Sequence, residues 1–153
     1  MGIFTDSQIS EAVEKGLLVS ENFNHGSLTP NGYDITIGSV RVGEATYENV
    51  MVKPGTFFLV GSREFFNFPD DVTGQIWIRS SYARKGLIGS FGFIDAGFKG
   101  NLTLSFLNSS GKEVEIRAGE RIAQLVFSRL ESSPEKPYSE RSGNYQNSRG
   151  IRI

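Results

Sequence analysis

Apolar positions change their period once along the chain. Near the start Ile9, Ala12, Val13 and Leu17 recur at helical spacing while Glu11 and Glu14 fall on the other face, which predicts a short amphipathic helix. Asp6 or Ser7 can cap its start and Gly16 can stop it. From Tyr33 onward the pattern turns into short runs rich in β-branched and aromatic residues, at 33–37, 50–52, 56–60, 74–78, 102–107 and 122–127, separated by Gly, Pro, Asn or Asp. Such spacing predicts an all-β sandwich or barrel. Alternation is clearest where Leu102, Leu104 and Phe106 should face a core and Thr103, Ser105 and Leu107 the other way. Trp77, inside Ile76-Trp77-Ile78, reads as a core residue.

Beyond Leu130 the pattern disappears. Residues 131–153 are Ser, Pro, Glu, Arg, Asn and Gly with hardly an apolar residue before Ile151, and such a segment cannot bury enough surface to order itself. The expected organisation is therefore one β domain over 1–130 and a flexible tail over 131–153, either frayed or ordered by binding. Its arginines, Arg141, Arg149 and Arg152, and its tyrosines, Tyr138 and Tyr145, suit an anionic, aromatic ligand.

Composition narrows the chemistry. A chain of 153 residues, 38% apolar, can build one core but not two full domains. A formal net charge of -1 gives no global drive towards nucleic acid or an anionic membrane, so neither is expected as a partner. With no cysteine and only His25, disulfide scaffolds, thiol nucleophiles and Cys/His zinc sites are excluded. His25, flanked by Asn24 and Gly26, reads as a surface loop residue. Neither a membrane-spanning run nor a leader-like start is evident, so the expected location is the cytoplasm.

Four segments can carry chemistry. Arg79-Ser80-Ser81-Tyr82-Ala83-Arg84 follows an apolar run and offers two guanidinium groups beside two hydroxyls, which suits phosphate oxygens, although Ser80 or Ser81 can equally be a helix cap. Phe93-Ile94-Asp95-Ala96-Gly97-Phe98 sets a carboxylate on a turn, where it can activate water or merely cap the turn through its side chain. Gln124 is a polar residue inside the apolar run 122–127 and, if buried, needs a backbone or ligand partner. Asn31-Gly32 reads as a tight turn, with Asp34 in a structural role just after it.

In this order the segments resemble the dUTPase and dCTP deaminase superfamily, and the likeness covers most of the chain. Asn31 to Asp34 resembles its first motif, Arg79 to Arg84 with Gly86-Leu87 its second, Ile94 to Gly100 with Leu104 and Asn108 its third, and Gly119 to Leu125 its fourth. The early helix, Arg84, Asp95 to Phe98 and the segment Pro137 to Arg141 with Tyr145-Gln146 are similar to the deaminase branch in particular. The resemblance implies a distorted β-barrel or jelly roll of the β-clip type, assembled as a homotrimer with active sites shared between subunits. It further implies that Arg79, Ser80, Ser81, Arg84 and Gln124 hold a triphosphate with Mg²⁺ carried on its oxygens. Phe98 would pack on the deoxyribose, the hairpin at Phe93 and Ile94 would read the base, and a tail bearing Tyr138, Tyr145 and Arg149 would close over the site.

One departure decides between activities. The deaminases carry a glutamate as general acid and base where this chain has Ser105, and a hydroxyl titrating far above neutrality cannot shuttle protons there. The aspartate that serves dUTPases as general base is retained as Asp95. The expected function is thus dUTP diphosphatase, forming dUMP and pyrophosphate, with Asp95 activating the attacking water. The alternatives are a dCTP deaminase, alone or bifunctional, a catalytically silent deoxynucleotide-binding module, and a β-sandwich interaction or coat protein without a small-molecule site.

Overall fold

The structure, a computed structural model, describes residues 2–153. Helix α1 (Asp6–Glu14) is capped by Thr5 rather than by Asp6 or Ser7. The Thr5 hydroxyl accepts from the Gln8 amide at 3.4 Å while the Gln8 side chain accepts from the Thr5 amide at 3.0 Å, a reciprocal capping box that satisfies two otherwise orphaned donors. Gly16, at φ 78°, ends the helix turn as expected.

The elements that follow are mainly antiparallel strands: β1 (Leu18–Glu21), β2 (Leu28–Thr29), β3 (Gly32–Val42), β4 (Ala45–Tyr47), β5 (Asn49–Val52), β6 (Phe57–Ser62), β7 (Phe65–Asn67) and β8 (Val72–Ile78). After the one-turn helix α2 (Ser80–Ala83) come β9 (Leu87–Ser90), β10 (Phe93–Ile94), β11 (Lys99–Gly100), β12 (Thr103–Asn108), β13 (Val114–Arg117) and β14 (Arg121–Arg129), and α3 (Tyr138–Arg141) lies in the tail. The six apolar runs fall in β3, β5, β6, β8, β12 and β14. The others, β7, β9 and β10 among them, are too short to show a period of their own.

The largest sheet runs β10-β8-β14-β3-β6-β12-β9. Strand β3 is its spine: residues 33–36 pair with β14 and residues 37–41 with β6, with a register shift in each ladder. At the changeover stands Gly38, where a Cβ would lie 3.0 Å from the Arg63 amide nitrogen and 3.1 Å from the Gly61 carbonyl oxygen. Absence of a side chain lets the strands close there, and the bulges bend the sheet. The result is a curled half-barrel of distorted β-barrel type, with β1-β7-β11 and β13-β5 as smaller sheets.

Leu102, Leu104 and Phe106 are buried as the alternation requires, and Phe58 stacks on Phe106 with ring centroids 5.4 Å apart. Trp77 corrects the expectation, being 60% exposed. Along β8 the inward positions are even, with Val72 and Gly74 buried, so Trp77 points outward despite its apolar neighbours.

The tail also departs from its composition, because it lies on its own domain. The Asn147 amide donates to the Lys99 carbonyl at 2.7 Å, the Asn101 amide to the Ser148 carbonyl at 2.8 Å, and the Gly150 amide to the Asn101 side chain at 2.9 Å. Hydrogen bonds beside β11 hold it, together with the one aromatic side chain it buries, Tyr138.

Candidate functional site

Asp95 stands on a tight turn between β10 and β11. The Phe98 amide donates to the Asp95 carbonyl at 3.1 Å and Gly97 has φ 86°, the geometry of a turn whose third position favours glycine. The turn is tied to the domain where the Gly97 amide donates to the Pro69 carbonyl at 3.0 Å. No side-chain cap through the Asp95 carboxylate is present among the described residues, so the group is left exposed to solvent on a rigid mount.

This carboxylate borders a cavity of about 880 Å³. Phe93, Ile94, Phe98, Tyr138, Tyr145 and Ser105 share its wall, so one chain brings most of the expected base, sugar and tail residues together. Phe98 is buried edge-on against Tyr138 at 5.8 Å, and Tyr138 accepts from the Tyr145 amide through its hydroxyl at 3.1 Å. Phe93, by contrast, is 66% exposed. Among the lining residues Asp95 is the one carboxylate, and Arg41 and Arg152 are the cations. Sequence reasoning missed Arg41 as a site residue and placed Arg149, not Arg152, over the site. The signal for Arg41 lies in the ladder, since Arg41 pairs with Leu59 and Leu59 with Ser105, and that row is invisible without the register.

The expected phosphate-binding residues form a second place. Arg79 is the N-cap residue of α2, without a side-chain cap, so neither Ser80 nor Ser81 is the cap. The β8–β14 ladder, in which Ile78 pairs with Ala123, continues one residue further where the Arg79 amide donates to the Ile122 carbonyl at 3.0 Å. The Arg79 guanidinium meets Asp34 through Nε at 3.2 Å and donates through Nη1 to the Arg121 carbonyl at 3.0 Å. Arg121 also approaches Asp34, at 3.6 Å. Burial pushes the Asp34 carboxyl up from its ordinary value while Arg79 and Arg121 pull it down, burial being the larger effect. Tyr82 anchors α2 from the other side, its hydroxyl donating to Glu120 at 2.5 Å, and leaves Ser80, Ser81 and Arg84 exposed. Gln124 finds its partner in the Thr29 hydroxyl at 2.8 Å.

Within one chain these two places stay apart. Ile94 pairs with Gly74, and Arg79 is five residues further along, roughly 17 Å at about 3.3 Å per residue. Arg149 belongs to neither place: it donates to Glu21 at 3.0 Å and lies over the Phe65 ring at 3.9 Å. The tail turns that side chain away from the cavity because its Ser148 runs beside Gly100.

No cluster of three or more His, Cys, Asp or Glu side chains suited to a metal occurs among the described residues. One cavity carboxylate fits a magnesium ion borne by substrate phosphates and water, which is how this hard, reluctantly dehydrated cation is commonly held. No helix is long and apolar enough to cross a membrane among the described residues.

Comparisons with known proteins agree with this architecture. A family model described as dCTP deaminase-like matches residues 40–130. A dCTP deaminase of Thermococcus kodakarensis is 42% identical over 152 residues, covering 92% of each chain. A "dCTP deaminase, dUMP-forming" of Sulfurihydrogenibium sp. is 33% identical, covering 97% of this chain and 93% of that one. Among solved structures, the 2'-deoxycytidine 5'-triphosphate deaminase of Agrobacterium tumefaciens matches with a TM-score of 0.71 and 19% identity, over 82% of this chain and 47% of that chain. The native EIAV dUTPase matches with a TM-score of 0.54 and 21% identity, over 72% and 85%. At these identities the two structures establish the fold alone.

Proposed function

The chain belongs to the dCTP deaminase-like family, and from that premise we propose that it acts on a pyrimidine deoxynucleoside triphosphate, hydrolysing dUTP to dUMP and pyrophosphate. The observation that carries this reading is the cavity wall, in which Asp95 is the one carboxylate and position 105 is serine. One carboxylate cannot serve both ends of a nucleotide: a base for water attacking the α-phosphorus and a proton shuttle at the C4 amine stand far apart. Serine at 105 leaves the second task without a titratable group near neutrality, whereas Asp95 on its rigid turn suits the first.

In this mechanism Asp95 orients a water in line with the α-phosphorus and takes its proton as the bridge to pyrophosphate breaks. Phe93 and Ile94 border the base, Phe98 the sugar, and Tyr138 and Tyr145 the tail side of the cavity. Arg79, Ser80, Ser81 and Arg84, with Gln124 beside them, are the phosphate holders. Magnesium held mainly by the phosphate oxygens and water would spread the charge of the leaving pyrophosphate, which leaves Asp95 free to act on the attacking water. Because Asp95 follows Ile94, the partner of Gly74, while Arg79 lies five residues beyond Gly74, roughly 17 Å of strand at about 3.3 Å per residue, the cavity of one subunit takes its phosphate holders from a neighbour, and a closed homotrimer supplies three such sites.

A second reading, dCTP deamination with or without onward hydrolysis to dUMP, is favoured by the names of the curated relatives. Product analysis by chromatography separates the two. With dUTP and magnesium the expected product is dUMP, abolished by chelator, while dCTP survives. If dCTP yields dUTP or dUMP, the argument from Ser105 fails and the deaminase reading replaces it; if neither nucleotide changes, the chain is a binding module.

A further inference from the structure

The Asp34 carboxylate is the buried partner that Arg79 and Arg121 share. Its place is stiffened from three directions. Tyr33, on one side of it in β3, donates through its hydroxyl to Glu64 at 3.2 Å, and the Thr36 amide, two residues on, donates to the same carboxylate at 3.1 Å. That amide lies opposite the β14 bulge, where Arg121 rather than Ile122 is its pairing residue, so the buried Glu64 satisfies a donor the ladder leaves open. Across the sheet Asp34 pairs with Gln124, itself bonded to Thr29. A carboxylate held this firmly imposes its geometry on whatever cation meets it.

Arg79 is that cation, and it is only partly used. Its Nε faces Asp34, its Nη1 donates to the Arg121 carbonyl, and no protein acceptor meets its Nη2 among the described residues. The side chain is about one-third exposed, against 8% for Asp34. A planar guanidinium fixed through two donors must aim the remaining ones in one direction. Next to Arg79 in the chain stand exposed Ser80 and Ser81, on a one-turn helix that Tyr82 ties to Glu120. Asp34 cannot touch phosphate usefully itself, since the two anions would repel.

We infer that Asp34 is a positioning residue: it holds the Arg79 guanidinium so that its free Nη donors present a preformed fork to the substrate's phosphate oxygens. The inference rests on the reading of Arg79 as a phosphate holder. It differs from a purely structural ion pair in one measurable respect, because a structural pair changes melting temperature and leaves the affinity of the folded protein unchanged.

The test is equilibrium binding of the imido analogue of dUTP, in which nitrogen bridges the α and β phosphorus, alongside thermal melts of each variant. Asp34→Asn should weaken binding about tenfold, the usual scale for one charge-assisted hydrogen bond put out of place. In an Arg79→Ala background the same change should add nothing, because a residue acting through another has no effect once that other is gone. Arg79→Lys, at a partly exposed position where folding is secure, should bind as weakly as Arg79→Ala: one ammonium drawn to Asp34 cannot also span phosphate oxygens. Native affinity in Arg79→Lys, or a full additional loss from Asp34→Asn in the Arg79→Ala background, overturns the inference while leaving Arg79 as a phosphate holder. Native affinity in Arg79→Ala removes Arg79 from the site and overturns both.

Discussion

At the scale of single residues, Glu64 shows how burial changes a group's chemistry. Its carboxyl is fully buried, and burial raises it above its ordinary value of 4.5 although the bonds from Thr36 and Tyr33 act in the opposite sense. The native state therefore keeps its proton to higher pH than the unfolded chain does. The stability this group contributes is fully present below 4.5 and is lost as pH rises through the elevated native value. Glu64→Gln removes the titration, so the difference in melting temperature between wild type and variant should shrink as pH is raised from 4.5 towards neutrality. A difference that widens with pH would mean that the site favours the charge and not the proton. Nothing in the sequence around Arg63-Glu64-Phe65 announced this residue, because its partners come from β3, about thirty positions earlier.

At the scale of elements, the tail separates composition from structure. Its residues are as polar as those of a disordered segment, and of its two buried side chains, Tyr138 and Ser148, Tyr138 alone is apolar enough to join the core, against Phe98. What fixes it is a line of hydrogen bonds to residues 97–103, including the Arg152 amide to the Thr103 hydroxyl at 3.0 Å and the Gln146 side chain to the Gly97 carbonyl at 3.0 Å. Truncation after Leu130 removes one wall of the cavity and leaves the strand ladders intact. Turnover should fall by more than tenfold while the truncated chain still melts cooperatively. An unchanged rate would show that the tail is no part of the working site. The first helix shows the converse: its period is legible in the sequence, and only its cap differs, lying one residue before the acidic neighbour that the pattern favours.

At the scale of the whole molecule, the proposed sharing of sites between neighbours in a closed ring predicts complementation. Asp95→Asn chains and Arg79→Ala chains should each be nearly inactive alone. Mixed in equal amounts and reassembled they should recover about a quarter of native activity, because a site is whole when one subunit supplies Asp95 and its neighbour Arg79. Failure to recover any activity, with mixed assemblies present by mass spectrometry, would place both residues in a site within one chain.

The sequence by itself determined the all-β class, the five longest strands together with β5, the inward face of β12 and the order of four motifs, because period-2 patterning and turn residues are local properties of the chain. Tertiary structure alone decided which of those residues meet. The outward face of Trp77, the company of Arg41 with Ser105, the turning of Arg149 towards Glu21 and the buried place of Asp34 between two arginines all depend on ladder register. A shift of one residue in pairing reverses every side chain, and register is set by bulges and long-range hydrogen bonds that no local pattern encodes.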